Sequence, residues 1–152
     1  MKNILFVCTG NTCRSCMAEA IFNFICGKSD IKAASAGISV IDGSVTSRNS
    51  ALVVKRNINV DISGRKAVQI NRNMVENFTI VLAVTSRIKA ILQRDFSEFV
   101  NKIYTLNEFV SLDEEIEDPF GKSISEYEYT YSQLKYSILL LINKLREDMD
   151  IG

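Results

Sequence analysis

Asn3-Ile4-Leu5-Phe6-Val7-Cys8-Thr9-Gly10-Asn11-Thr12-Cys13-Arg14-Ser15 is the stretch on which the reading of this chain turns. Residues 3–8 form a short, continuous apolar run, the pattern of a strand buried on both faces of a parallel sheet. Gly10, Asn11 and Thr12 break the run. From Arg14 the spacing of Met17, Ile21, Phe24 and Ile25 predicts a helix that ends near Gly27. A strand that turns straight into a helix puts the turn at the helix N-terminus. There, unpaired N–H groups and the positive end of the helix dipole attract anions.

Outward from this stretch the alternation continues. Ala33 to Ala36, closed by Gly37, predicts a second strand, and Thr46 to Asn57 a helix capped by Thr46 or Ser47. Thr79 to Val84 is the clearest later strand; Thr85 or Ser86 then caps a helix running to about Arg94, and Lys102 to Leu106 predicts a fourth strand. After an acidic loop from Asp113 to Asp118, a long helix is expected from about Ser125 to Asp148. Its apolar positions Tyr127, Tyr131, Leu134, Ile138, Leu141 and Leu145 recur by threes and fours, one face for packing on the sheet. Strands alternating with helices imply an α/β fold, a parallel sheet covered on both faces. Ligands of such sheets sit beyond the carboxyl ends of the strands, at a topological switch point. Cys8 lies at that position.

The 152 residues fit a single domain, residues 1–152, with 47% hydrophobic and 24% charged residues. Eighteen basic side chains balance eighteen acidic ones, so no general attraction to nucleic acid or to an anionic membrane is expected. The N-terminus lacks the apolar stretch of a signal peptide, and no run approaches the ~18 apolar residues of a membrane span. A cytoplasmic protein is expected, a monomer or weak dimer. All four cysteines, 8, 13, 16 and 26, crowd into the first 26 residues, where they cannot staple distant parts of the chain. Histidine is absent, which removes Ser-His and Cys-His dyads and most zinc sites.

Within the loop, Gly10 lets the backbone curl until successive N–H groups point inward. Such a field favours a thiolate at Cys8. Arg14, six residues on, can fold back and clamp two oxygens with its planar fork. Ser15 can donate its hydroxyl to the sulfur. Together these are a nucleophile, an oxyanion cradle (Thr9, Gly10, Asn11, Thr12, Cys13) and a charge clamp. Displacement at phosphorus also needs a proton for the leaving group, and without histidine a carboxylic acid is the natural donor. Asp113, Glu114, Glu115 and Glu117 read mostly as solvated loop charge. Asp118 differs, because Pro119, the only proline, restricts it to extended conformations.

The chain resembles the low-molecular-weight protein-tyrosine-phosphatase family over nearly its whole length. The resemblance is carried by Cys8 to Ser15 with Ala18-Glu19-Ala20, by Ser35-Ala36-Gly37, and by Asp118-Pro119-Phe120. It implies a single three-layer domain with a four-stranded parallel sheet, helices on both faces and a phosphate-binding loop after the first strand. It also implies hydrolysis of phosphorylated proteins through a phosphocysteine intermediate on Cys8, without metal or other cofactor. Asn11 and Ser35 are then expected to hold the loop in shape, Asp118 to serve as acid and base, and Phe120 to wall the pocket. Members of the family can protect the oxidised nucleophile as a disulfide with a loop neighbour, here Cys13, with Cys16 a competing partner; redox sensitivity is expected.

Thr12 stands where tyrosine phosphatases of the family usually carry a bulky aliphatic residue, and Phe120-Gly121-Lys122-Ser123 follows the Asp-Pro pair where they commonly have tyrosines. Both features resemble the bacterial branch that includes protein-arginine phosphatases, so phosphoarginine is the expected substrate and phosphotyrosine the alternative. Two departures stand out. Cys16 replaces the usual proline after the Arg-Ser pair, creating Cys13-x-x-Cys16, and Arg65 or Lys66 stands where relatives often place a loop-supporting histidine. A thiol redox protein and an arsenate reductase are the rival readings. The first leaves the Arg14 clamp without a purpose, and the second lacks its downstream cysteine relay, since positions 82 and 89 are Leu and Lys. A catalytically dead binding module is expected to lose Cys8 or Asp118, and both are present.

Overall fold

The computed structural model describes residues 2–27 and 30–151. Its four strands are β1 (Asn3–Cys8), β2 (Lys32–Gly37), β3 (Ile80–Ala83) and β4 (Ile103–Thr105). They form one parallel sheet in the order β2-β1-β3-β4. Six helices join them: α1 (Arg14–Cys26), α2 (Arg48–Ile58), α3 (Arg72–Asn77), α4 (Ser86–Asp95), α5 (Leu106–Phe109) and α6 (Ile124–Ile151). A 3-10 helix, Ser97–Lys102, precedes β4.

The apolar run opening the chain becomes the central strand. Ile4, Leu5, Phe6 and Val7 are all fully buried, because β1 is covered on both faces and flanked by a strand on each side. From β1 the chain crosses to β2 on one side through α1, and from β3 to β4 on the other side through α4. Right-handed crossovers in opposite directions put α1 and α4 on opposite faces. α6 packs on α1 and α2, and its apolar row Tyr127, Tyr131, Leu134, Ile138, Leu141 and Leu145 is buried. The expected four-stranded parallel α/β architecture is therefore the one observed.

Capping decides the helix starts. Ser47, not Thr46, accepts the Ser50 N–H at the start of α2, and Thr85, not Ser86, accepts the Ile88 N–H at the start of α4. The sequence reading passes over α3, α5 and the 3-10 helix. α3 buries only Val75, so it offers no apolar period to read.

The reversal of strand order at β1 leaves a crevice at its carboxyl end, since the connections after β1 and β3 leave in opposite directions. Gly37 closes one side of this crevice. A Cβ there would lie 2.6 Å from the Thr9 carbonyl oxygen and 3.0 Å from the Asn11 nitrogen, so only glycine lets β2 end this close to the loop. The carbonyls of Cys8 and Thr9 accept hydrogen bonds from Ile38 and Ser39 N–H at 3.0 and 2.9 Å, continuing the pairing past the strand ends.

Candidate active site

Cys8, the expected nucleophile, ends β1, and the loop from Thr9 to Cys13 curls over its sulfur. Asn11 makes the curl. Its φ of 59° is left-handed, and its backbone N–H is turned onto Cys8 Sγ at 3.3 Å. Ser15, in the first turn of α1, sets its Oγ 2.8 Å from the same sulfur. Arg14 is buried beside them. Its Nη1 donates to the Ile116 carbonyl at 3.2 Å, and its Nη2 lies 3.6 Å from Asp118 Oδ2. The pair spans a wide difference in exposure: the Arg14 side chain is 6% accessible and that of Asp118 56%.

The loop is held from behind by a network centred on the fully buried Asn11. Asn11 Oδ1 accepts from Val68 N–H at 2.9 Å and from Arg65 Nη1 at 3.0 Å. Both of those groups can only donate, so the amide's orientation is fixed and Nδ2 is the donor on the other side. Nδ2 donates to Ser15 Oγ at 2.7 Å and to Ser35 Oγ at 3.0 Å. The Ser35 hydroxyl donates to Glu19 Oε1 at 2.8 Å, and Arg65 Nη2 bridges Ser35 Oγ at 2.7 Å and Glu19 Oε1 at 3.2 Å. Arg65 therefore takes the loop-supporting position, while Lys66 contributes only its carbonyl, which accepts from Arg65 Nη1 at 3.3 Å. The sequence marked Arg65 or Lys66 as a departure from the usual histidine and not as a support for Asn11; the fold shows Arg65 bonded to it.

Cys13 is buried as part of the apolar core, and three hydroxyls lie close to its sulfur. Its sulfur lies 3.6 Å from Ser47 Oγ, 3.4 Å from Tyr127 Oη and 3.8 Å from Thr12 Oγ1. Burial first, and then the hydrogen bond to Cys13, push the Tyr127 hydroxyl up to about 12. Cys16 faces the interior, where burial above all, then the neighbouring Cys8, holds its thiol well above the ordinary range. Cys26 is buried in α1.

A cleft of about 520 Å³ opens over the loop. Cys8, Thr9, Gly10, Thr12, Cys13 and Arg14 form its floor, and Asp118 and Phe120 line it from the C-terminal loop. Phe120 stands at the mouth with 73% of its surface exposed. Opposite are residues that sequence reasoning missed: Ile41, 78% exposed, Val45, and Arg87 at the start of α4. Ile41 and Val45 lie in the connection from β2 to α2 and Arg87 in the first turn of α4, and no motif ties them to the loop. Glu115 is a second omission. Read as solvated charge, it instead accepts the Ser86 N–H with both carboxylate oxygens at 3.1 Å and the Ser86 hydroxyl at 2.6 Å. This bond, the burial of Ile116 and the Asn107 bond to the Glu114 carbonyl pin the acidic loop, so Asp118 hangs from a fixed support. Asp118 Oδ1 also accepts the Phe120 N–H at 3.1 Å, a local turn that sets the carboxylate's direction.

Among the described residues, no group of three or more His, Cys, Asp or Glu is placed to hold a metal ion, and no helix is long and apolar enough to cross a membrane.

Known proteins share this arrangement. Residues 3–150 match the family described as low molecular weight phosphotyrosine protein phosphatase. A protein-arginine-phosphatase of Geobacillus stearothermophilus is 36% identical over 148 residues, covering 95% of this chain and 97% of that one. The crystal structure of a low molecular weight protein tyrosine phosphatase from T. tengcongensis superimposes with a TM-score of 0.92 at 37% identity, covering 95% of this chain and 99% of that chain. An arginine phosphatase solved with a phosphorylated active-site serine in place of cysteine has a TM-score of 0.92 at 29% identity, with 99% of each chain covered. With a cysteine, an arginine and a carboxylate converging at the switch point of the same sheet, the chain belongs to the low molecular weight protein phosphatase family, a family of metal-independent hydrolases.

Proposed function

We propose that this enzyme hydrolyses phosphorylated arginine side chains of proteins through a phosphocysteine on Cys8. The observation that carries the reading is the convergence of Cys8 Sγ, the Arg14 guanidinium and the Asp118 carboxylate on one cleft. The inward N–H groups of the loop and the Arg14 fork hold the phosphoryl oxygens and stabilise the charge that builds on them. The Cys8 thiolate attacks phosphorus in line; the bond from phosphorus to the substrate nitrogen breaks as Asp118 delivers its proton to that nitrogen. A water then attacks phosphorus, its proton passes to the Asp118 carboxylate, and the electrons of the phosphorus–sulfur bond return to Cys8. Ser15, 2.8 Å away, donates its hydroxyl to the departing sulfur.

Three features favour arginine. Thr12 lines the cleft with a hydroxyl that can bond a substrate nitrogen or a water, where an aliphatic side chain would repel both. Asp118 already has a guanidinium for its partner in Arg14, so a second guanidinium suits it chemically. Phe120 offers a flat face for a planar group. The apolar mouth formed by Ile41, Val45 and Phe120 suits a phenyl ring as well, and supports phosphotyrosine as the second reading.

Side-by-side hydrolysis of phosphoarginine and phosphotyrosine proteins decides between them. The wild type is expected to favour phosphoarginine, and Thr12→Ile to lose that activity about tenfold or more while keeping most of its action on phosphotyrosine. Equal losses on both substrates would overturn the assignment of specificity to Thr12.

A further inference from the structure

We infer that Arg87 is a specificity-determining residue that binds a carboxylate of the substrate protein beside its phosphorylated side chain. The sheet order decides where Arg87 stands. Cys8 ends β1, and β1 lies between β2 and β3, so the connection leaving β2 borders the cleft on one side and the one leaving β3 on the other. The first brings Ile41 and Val45, both exposed. The second runs into α4 and brings Arg87. The cleft therefore has one apolar lip and one cationic lip, with Cys8 on the strand between them.

The backbone under Arg87 is fixed while its charge is left open. Ser86 donates its N–H and its hydroxyl to Glu115, Thr85 accepts the Ile88 N–H, and Ile88 is buried. Arg87 itself is exposed, and among the described residues its guanidinium has no hydrogen-bond or ion-pair partner. The acidic loop does not neutralise it. Glu115 is spent on Ser86, and Asp118 on Arg14 and the Phe120 N–H. Arg14, Arg87 and Asp118 are the basic and acidic residues that line the cleft, and the first and last of them are paired.

Arg87 is thus an uncompensated positive charge at the lip. The phosphoryl oxygens have Arg14 and the loop N–H groups for partners, so the fork of Arg87 is free for a second anion. A carboxylate matches its parallel N–H groups. With 18 basic and 18 acidic side chains the molecule has no net charge to draw acidic segments, so a preference for them is set locally. This role for Arg87 rests on the phosphatase reading of the cleft and holds for phosphoarginine and phosphotyrosine alike. A charge at the lip acts on capture of the substrate, so its effect falls on kcat/KM and weakens with salt.

The test is kcat/KM for paired peptides, one carrying Glu and the other Gln at the positions on either side of the phosphorylated residue, in a phosphoarginine and a phosphotyrosine series. At low salt the wild type is expected to favour the Glu peptide about two- to fivefold in whichever series it hydrolyses, the effect of one exposed ion pair. The preference should shrink at about 0.5 M salt. Arg87→Gln is expected to bring the ratio to about one, and Arg87→Glu to turn the preference toward a peptide with Lys at those positions. Both peptides are read on the same enzyme, so a general loss of activity cancels in the ratio. A wild type that does not distinguish the peptides, or a preference that survives Arg87→Gln, would overturn the inference. An aryl phosphate run beside them keeps the two readings apart: no hydrolysis of it by the wild type would overturn the phosphatase reading itself, whereas hydrolysis without a Glu preference strikes only the role of Arg87.

Discussion

At the scale of single residues, Cys13 of the loop and Cys16 of α1 have different surroundings and should differ in chemistry. Cys13 Sγ is met by three hydroxyls, from Thr12, Ser47 and Tyr127, and donates to that of Ser47, whose own proton goes to Ser50 Oγ. Cys16 is held protonated by burial and by Cys8 beside it, which makes it a poor attacking group. Peroxide is therefore expected to convert Cys8 to a sulfenic acid that condenses with the Cys13 thiol, releasing water and forming a disulfide that added thiol reduces. Intact-mass analysis should show the loss of two hydrogens and full recovery of activity. Cys8 found only as the irreversible sulfonic acid would sink the idea. The residues of this site differed in how readily sequence disclosed them. Cys8, Arg14, Ser15 and Asp118 stand in contiguous stretches whose spacing carries the chemistry. Ile41 and Val45 come from the connection between β2 and α2 and Arg87 from the first turn of α4, brought together by topology alone, and Arg65 could not be told from Lys66 until the fold aimed one of them at Asn11.

At the scale of elements, long apolar or strongly periodic segments were legible and short polar ones were not. β1 and α6 declare themselves through buried runs and rows, whereas α5 has four residues, too few to show an apolar period even though Leu106 is buried, and its start is fixed by a capping box. Thr105 accepts the Glu108 N–H while Glu108 accepts the Thr105 N–H at 2.8 Å, and Lys89 from α4 adds two bonds to the same carboxylate. Lys89 first, then Thr105, hold the Glu108 carboxyl below its ordinary range. A carboxyl shifted down in the folded state adds stability that is complete above its unfolded value near 4.3 and is lost as pH falls through its folded value. Because the side chain is 45% exposed, the contribution is that of a solvent-screened cap, roughly 0.5–1 kcal/mol. Glu108→Gln should thus melt about 1–3 °C below the wild type at pH 7, with the gap narrowing toward pH 3. A gap that stays constant from pH 7 to pH 3 would show that the carboxylate's charge is not what stabilises α5.

At the scale of the molecule, α6 links the core to the site. Leu134 is fully buried among the helices, while one turn away Thr130 donates to the Glu117 carbonyl and Gln133 accepts the Glu117 N–H, steadying the loop that bears Asp118. Leu134→Ala should cost about 2–5 kcal/mol, read as a lower urea midpoint at unchanged slope. Activity per folded molecule should stay within about twofold of the wild type, since the buried leucine faces the core and the polar bonds remain; a large loss at full folding would mean that core packing tunes the site. The parallel sheet also gives the molecule two unlike ends. The cleft over the loop opens at the carboxyl ends of the strands, whereas the opposite end is closed by structural bonds such as those between Asn3 and Thr79. That blank end is the natural handle for attaching the enzyme to a bead or an electrode. A tether placed near residues 76–79 or 98–102 turns every cleft outward, so that bulky phosphoproteins reach immobilised enzyme as freely as small aryl phosphates do.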